Sequence, residues 1–411
     1  MNIIKIPEIL LPKDGIDYQK WASIACDQFT SETDYWNDLE VFTKDAYSAY
    51  HITYPEIYLG KDEDARIRRI NDTMKKYLSD GIFDTVKDSF ILVERTTRYS
   101  AVPRFGLIIS VDLEAYDFKP FNKSYIKATE GTIVERLPVR VKIRENALLE
   151  LPHILLLIDD AQKSVIEPIA ADRQKLVKLY DFELNKGGGH IKGYKVTDAK
   201  GIADKIYALA DKDVLTAKYG AYDNNFLFAV GDGNHSLAAA KAFWEQLKPA
   251  LTAEERSNHP ARYALVELMN LYDGALKFEP IHRVVFNAED GFIGGLVKLN
   301  PFGAKKIKAF SAEKEYYINV GADAAVAIKD IQTYIEEYIK NNPKTIVDYI
   351  HGEEHLKDVV SKRGGIGIVM PSITKAELFP FVVKNGVLPK KAFSMGEAEE
   401  KRYYLEAKPI R

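Results

Sequence analysis

The chain has 411 residues, 46% of them hydrophobic and 28% charged, a composition that builds more than one core and excludes a chain disordered throughout. Its 57 basic and 60 acidic residues leave a net charge of −3, so no global field draws it to nucleic acid or to an anionic membrane, and any anion site has to be local. One cysteine, Cys26, rules out an internal disulfide framework and points to a reducing, cytoplasmic setting.

The start, "MNIIKIPEILLPKDG", lacks the charged and then long apolar pattern of a secretory signal. Nowhere do about 18 apolar residues run together, so a soluble chain without a membrane span is expected. In "EDARIRRINDTMKKYLSDG", Ile67, Ile70, Met74 and Leu78 recur every three to four residues, which predicts a helix stopped at Gly81. "SFILVERT" and "RFGLIISVDL" follow as strands across a polar turn, a hairpin pattern. Further on, "HILLLIDD" has the unbroken apolar run of a buried strand, "QKLVKLYDFEL" reads as helix, "NKGGGHIKGYKV" as a loop entering a strand, and "IADKIYALADK" as helix.

The strand "FLFAV" then leads through Gly231-Asp232-Gly233 into the helix "NHSLAAAKAFWEQL", and this alternation predicts a mixed α/β core. From residue 261 the pattern is α+β: "YALVELMNLYD" reads as helix, "FEPIHRVVF" as strand, and "AAVAIKDIQTYIEEYIKNNP" as a long helix closed by Asn342 and Pro343. Three regions follow, 1–120, 121–260 and 261–411, with no long linker between them.

The segment 226–247 carries the strongest candidate chemistry. A strand, a glycine turn and a helix start leave backbone N–H groups unpaired at the positive end of the helix dipole, which makes an anion site. Gly231 and Gly233 permit positive φ and close approach, Asp232 or Asn234 is the candidate N-cap, and His235 and Ser236 sit at the mouth. Leu237, Ala240, Trp244 and Leu247 form the packing stripe. The alternative is a structural turn in which Asp232 only caps the helix. The turn matches neither of the usual nucleotide fingerprints.

In "PVRVKIRENA" a strand would set Arg140, Lys142 and Arg144 on one face, about 6.6 Å apart, as a phosphate-complementing row, whereas a helix would still put Arg140 and Arg144 together. The bland reading is a solvated face. Glu130 in "ATEGT" is a candidate general base or Mg²⁺ ligand, or a turn former. Gly188, Gly189 and His190 make a candidate substrate-closing loop with Lys192 nearby, or a plain connector. His282 and Arg283 point to opposite faces of a strand, so a buried, hydrogen-bonded His282 is expected. Lys390, Lys391 and Ser394 lie in an expected loop. "HGEEH", His351 to His355, fits an inverted zinc-peptidase pattern, but Gly352 weakens the helix the pattern requires, and no zinc is expected.

Together, "WASIACDQFTSETDYW", "ATEGTIVERLPVRVKIRENALLELPH", "NKGGGHIKGYKV", "VGDGNHSLAAAKAFWE", "FEPIHRVVF" and "KKAFSMGEAEEKRYYLEA" resemble the domain of unknown function 1015 family over essentially the whole chain. "GDGNHSLAAA" is similar to the Asp-Gly-His-His-Arg signature of ParB-like folds, which include sulfiredoxin and a free serine kinase. That resemblance implies a ParB-like mixed-sheet core with added N-terminal and C-terminal α+β elements, and a glycine turn that binds nucleotide phosphates. Asp232, Gly233 and His235 match the signature. Asn234 replaces its first histidine and Ser236 its arginine, so Arg136, Arg140 or Arg144 would have to supply the bidentate phosphate contact.

The expectation is a phosphate- or nucleotide-binding phosphotransferase acting on a small hydroxy acid or amino acid such as serine, with ATP or ADP and Mg²⁺. Asp232, His235 and Glu130 would be catalytic, while Gly231, Gly233, Asn234, Ser236, Arg140, Lys142 and Arg144 would hold phosphate. The competing class is a non-catalytic sensor of a phosphorylated metabolite or nucleotide. The partner is then a small molecule, and nucleic acid and membrane are not expected partners.

Overall fold

The apolar runs of the hairpin pattern alternate between two covered faces. Strands β1 (Phe90–Thr96) and β2 (Arg104–Asp112) pair antiparallel. Phe90, Leu92, Leu107 and Ile109 pack into one core, and Ile91, Val93 and Ile108 into another. Burial on both sides explains why these strands read as unbroken apolar segments rather than as polar–apolar alternation.

The chain is represented by a computed structural model that describes residues 2–30, 32–132, 137–220, 225–289, 291–389 and 391–411. It divides into two units, Met1–Leu276 with Glu397–Arg411, and Lys277–Gly396. In the first unit the hairpin is the middle of one mixed sheet that also takes β3 (Ile126–Ala128), β4 (Leu155–Ile158), β5 (Val177–Glu183), β6 (His190–Val196), β7 (Phe228–Asp232) and β8 (Tyr263–Asn270). The order is β5-β6-β1-β2-β8-β4-β7-β3. Neighbours are antiparallel except β8–β4 and β7–β3, which are parallel. Mixed α/β is therefore the fold class. Strands from residues 90–112 share this sheet with strands from 126 to 270.

Two segments take the other secondary structure from the one their spacing suggests, and a third takes the second of the two its spacing allows. "YALVELMN" is rich in helix formers, yet it is β8, a strand between β2 and β4 with seven buried residues in a row. With no exposed face it has no alternation to betray it, and sheet pairing overrides propensity. "VKLYDFE" is the edge strand β5, fixed by its ladder to β6 and by Tyr180, whose hydroxyl donates to buried Glu406 at 2.5 Å. "LPVRVKIRE" is not a strand but helix α1 (Leu137–Glu145). Pro138 is tolerated in its first turn, and Leu137 and Val141, four apart, are its buried face.

Other expectations hold. The helix Glu63–Ser79 buries Ile67, Ile70 and Met74, with Tyr77 rather than the exposed Leu78 completing the stripe, and Gly81 follows at φ +63°. "IADKIYA" lies within the helix Ala199–Ala208, and Leu209 caps it. The turn after β7 opens helix α2 (Asn234–Leu247), which buries Leu237, Ala240 and Trp244 and packs on α1.

The second unit carries its own sheet, in which Phe278–Phe286 pairs with Ile346–His351 and Ile366–Ile368, and the long helix Ala324–Asn341 ends at Asn342 as expected. His282 is buried there and accepts from Met370 N–H at 3.1 Å. His351 ends a strand while His355 lies in the helix Glu353–Arg363, so the two are not one helical turn apart on a common helix. Ser394 lies on the strand Phe393–Met395, Lys391 precedes it, and Lys390 lies outside the described residues.

Candidate functional site

The turn after β7 is built as an open helix start. Gly233, not Asp232 or Asn234, is the N-cap of α2; it has φ +77°, and no side chain caps the helix. The first helical bond runs from Leu237 N–H to Gly233 O at 3.0 Å, so the amides of residues 234–236 precede the helical ladder. A side chain at 233 would also press on the Ile154 backbone at 3.0 Å. Asn234 Oδ1 is buried with no hydrogen-bond partner among the described residues.

Asp232 is released from capping because it has a stronger partner. Its carboxylate holds the Lys401 ammonium at 3.0 Å and accepts from Gly233 N–H at 2.8 Å. Burial opposes ionisation of Asp232, but the Lys401 charge and hydrogen bond, His153 and the Gly233 amide outweigh it and hold the carboxyl below its usual range. Burial likewise works against the Lys401 charge, and Asp232, Asp27 and Glu130 outweigh it and raise that pKa. Glu130 thus lies within the electrostatic reach of the turn, beside Thr129, whose hydroxyl donates to Val230 O at 2.6 Å.

Helix α1 meets the turn through a cavity of about 140 Å³ lined by Cys26, Arg140, Arg144, His153, Ser236 and Tyr404 and by apolar side chains. The cationic row does not survive as three cations on one face. Arg140 pairs with Glu56, Arg144 with Glu150 at 2.5 Å, and Lys142 points away to Asp64 at 2.5 Å. The helical alternative, with Arg140 and Arg144 together on the cavity side, is the one realised. Arg136 lies outside the described residues.

The glycine loop does not join the site. His190 sits at the start of β6 between Asp181 at 2.5 Å and Glu183 at 2.7 Å. Burial opposes its protonation, and these two carboxylates outweigh it and raise its pKa. Gly188 O accepts from Arg95, whose guanidinium also binds the carbonyls of Glu399 and Lys401. The loop therefore anchors the segment that carries Lys401, which is the connector reading. Gly189, at φ +82°, abuts the Thr96 carbonyl, so Gly189→Ala is expected to cost about 2 kcal/mol or more through strain and clash. Chemical denaturation at unchanged m-value would check it.

Sequence reasoning missed Lys401, Asp27, His153 and Tyr404. Each stands in a segment already notable for its resemblance, but nothing in local spacing ties residues 27, 153 and 401 to a turn at 232. Among the described residues no group of three or more His, Cys, Asp or Glu gathers as a metal site, and no helix is long and apolar enough to cross a membrane.

A family described as "Protein of unknown function (DUF1015)" matches residues 10–296. Among curated proteins none matches the chain. Solved structures with similarity include a free serine kinase in complex with AMP, at 10% identity and TM-score 0.39, covering 72% of this chain and 90% of that one. A conserved hypothetical protein from Pyrococcus furiosus has 10% identity and TM-score 0.36, with 74% and 95% covered. Truncated SbnI from Staphylococcus aureus has 12% identity and TM-score 0.34, with 69% and 83% covered. Similarity at this level says nothing of which residues bind what.

Proposed function

For a chain that belongs to the DUF1015 family, we propose a function from the site itself: a phosphate- or nucleotide-binding phosphotransferase that moves a phosphoryl group between ATP or ADP and the hydroxyl of a small hydroxy acid or amino acid such as serine. The observation that carries it is the uncapped start of α2 with the Asp232–Lys401 pair beside it. Amides at a helix start, the dipole behind them and a lysine in reach are what a phosphoryl oxygen needs.

Gly233 lets the phosphate approach the backbone, Gly231 precedes it within β7, and Asn234, His235 and Ser236 donate to it. Asp232 is committed to Lys401, so Glu130 takes the acceptor's proton and Asp232 positions the ammonium. Arg140 and Arg144 are held by Glu56 and Glu150, as Lys401 is by Asp232, but only Lys401 of the three has its carboxylate partner at the turn. Among the described residues no group of carboxylates or other ligands gathers that fits Mg²⁺.

His235→Ala is expected to lower transfer of label from ATP or ADP to serine-like acceptors by about 100-fold while changing stability by less than about 1 kcal/mol. Retained activity, or an unfolded variant, removes His235 from the mechanism. A thermal shift with nucleotides in the absence of any transfer would instead favour a sensor.

A further inference from the structure

Three side chains strung along the cavity wall have an arrangement that phosphate binding does not require. Ser236 Oγ lies 2.8 Å from His153 Nε2, and His153 Nδ1 lies 3.0 Å from the Tyr404 hydroxyl. The Tyr404 oxygen also accepts from Cys26 N–H at 3.1 Å, and the two rings meet edge to face at 89°. His153 is 8% exposed, so its ring has no room to leave this line. A hydroxyl, an imidazole in hydrogen-bond reach of it and a third group orienting the imidazole are the parts of nucleophilic catalysis by serine.

We infer that Ser236 is a nucleophile activated by His153, and that the adjoining cavity receives the acyl part of a small neutral ester. The lining decides the substrate class. Ile52, Leu59, Ile143, Leu149, Leu151 and Ile154 present apolar surface, and both cavity arginines are matched by carboxylates, so the space favours an uncharged, apolar group. A cavity near 140 Å³ is of the size that accepts a benzene-sized guest, about 150 Å³. The amides at the start of α2 are in place to receive the charge that develops on the ester carbonyl oxygen.

The chemistry closes on the residues present. As the Oγ–carbonyl carbon bond forms, the hydroxyl proton passes to His153 Nε2. The ester C–O bond then breaks, and Nε2–H returns the proton to the departing alkoxide. Water, deprotonated by the same nitrogen, attacks the acyl-serine, releases the acid and restores Ser236. In this tautomer Nδ1–H donates to the Tyr404 oxygen, which also accepts from Cys26 N–H. Burial, with the charge of Asp27 adding to it, pushes the Cys26 thiol up to about 12, so at neutral pH it stays protonated and leaves attack to Ser236. Tyr404 acts through His153 and is a positioning residue.

This activity shares the turn with the phosphotransferase reading but needs no nucleotide, so the two stand or fall separately. The test is hydrolysis of p-nitrophenyl acetate and butyrate by the full chain, followed by intact and peptide mass. A burst of one acyl group per chain on the peptide bearing Ser236 is expected, with about 100-fold loss in Ser236→Ala and in His153→Gln. Tyr404→Phe is expected to lower kcat with KM unchanged. Absence of acylation in the natural chain, an unchanged rate in Ser236→Ala, or acyl transfer to Cys26 overturns the inference. Should His153→Gln fail to fold, Ser236→Ala, which removes one oxygen, decides alone. Label transfer from ATP measured on the same preparations reports the phosphotransferase reading independently.

Discussion

Arg402→Met is expected to destabilise the first unit by about 3–5 kcal/mol, because it strands carboxylates that are sealed from water. Arg402, Glu267 and Glu406 are 2%, 1% and 0% exposed at their side chains. Arg402 Nε stands 3.1 Å from Glu267 Oε2, a charge contact without hydrogen-bond alignment, and its Nη2 binds Glu406. Arg104 at 4.0 Å is a further cation beside Glu267. Removing one partner of such a set costs far more than the set itself contributes. The melting temperature should fall by roughly 10 °C, and adding Glu267→Gln and Glu406→Gln should recover more than half of the loss. A variant as stable as the parent, or a triple variant no better than the single, would show that water reaches these groups.

Lys401→Met is the counterpart at the functional site. Transfer of phosphate should fall by about 100-fold or more, since the ammonium is bound to Asp232 at the turn and can answer a developing negative phosphoryl. Stability should fall by about 2 kcal/mol near neutral pH, a figure reduced from the fully buried case because the two side chains are 14% and 21% exposed. The pH dependence has a definite sign. Asp232 is depressed, so its contribution is present above the ordinary carboxylate pKa and is lost as pH falls through its folded value. Lys401 is raised, so its contribution is present below the ordinary ammonium pKa and is lost as pH rises through its folded value. The natural pair therefore gives a flat profile across neutrality. Without Lys401 the buried Asp232 binds a proton more readily, so the deficit should shrink on acidification. Equilibrium unfolding of both proteins at several pH values would show whether the gap closes.

Where a segment buries one face, its periodicity named it: the helix Glu63–Ser79 through Ile67, Ile70 and Met74, and α2 through Leu237, Ala240 and Trp244. Where both faces are covered, the signal vanished. Tyr263–Asn270 is made of good helix formers and becomes a strand only because β2 and β4 flank it. The turn at Gly233 was legible because it is local, a strand, glycines and a helix within twenty residues. Its partners were not, because Lys401, His153 and Tyr404 arrive by tertiary contact from segments 80 to 170 residues away. The basic pattern at Arg140, Lys142 and Arg144 was visible, but the carboxylates that cancel it, Glu56, Asp64 and Glu150, carry no mark in the sequence that would pair them.

The return of Glu397–Arg411 to the first unit after Lys277–Gly396 has a consequence for biosynthesis. On the ribosome, residues 1–276 emerge with the Glu267 carboxylate already destined for a dry interior and with Asp232 at the turn, but without Arg402 and Lys401. The first unit cannot reach its final form until translation has passed through the whole of the second and released the last segment. The second unit is, in time as well as in sequence, an interlude during which the nascent first unit remains open to chaperones and proteases.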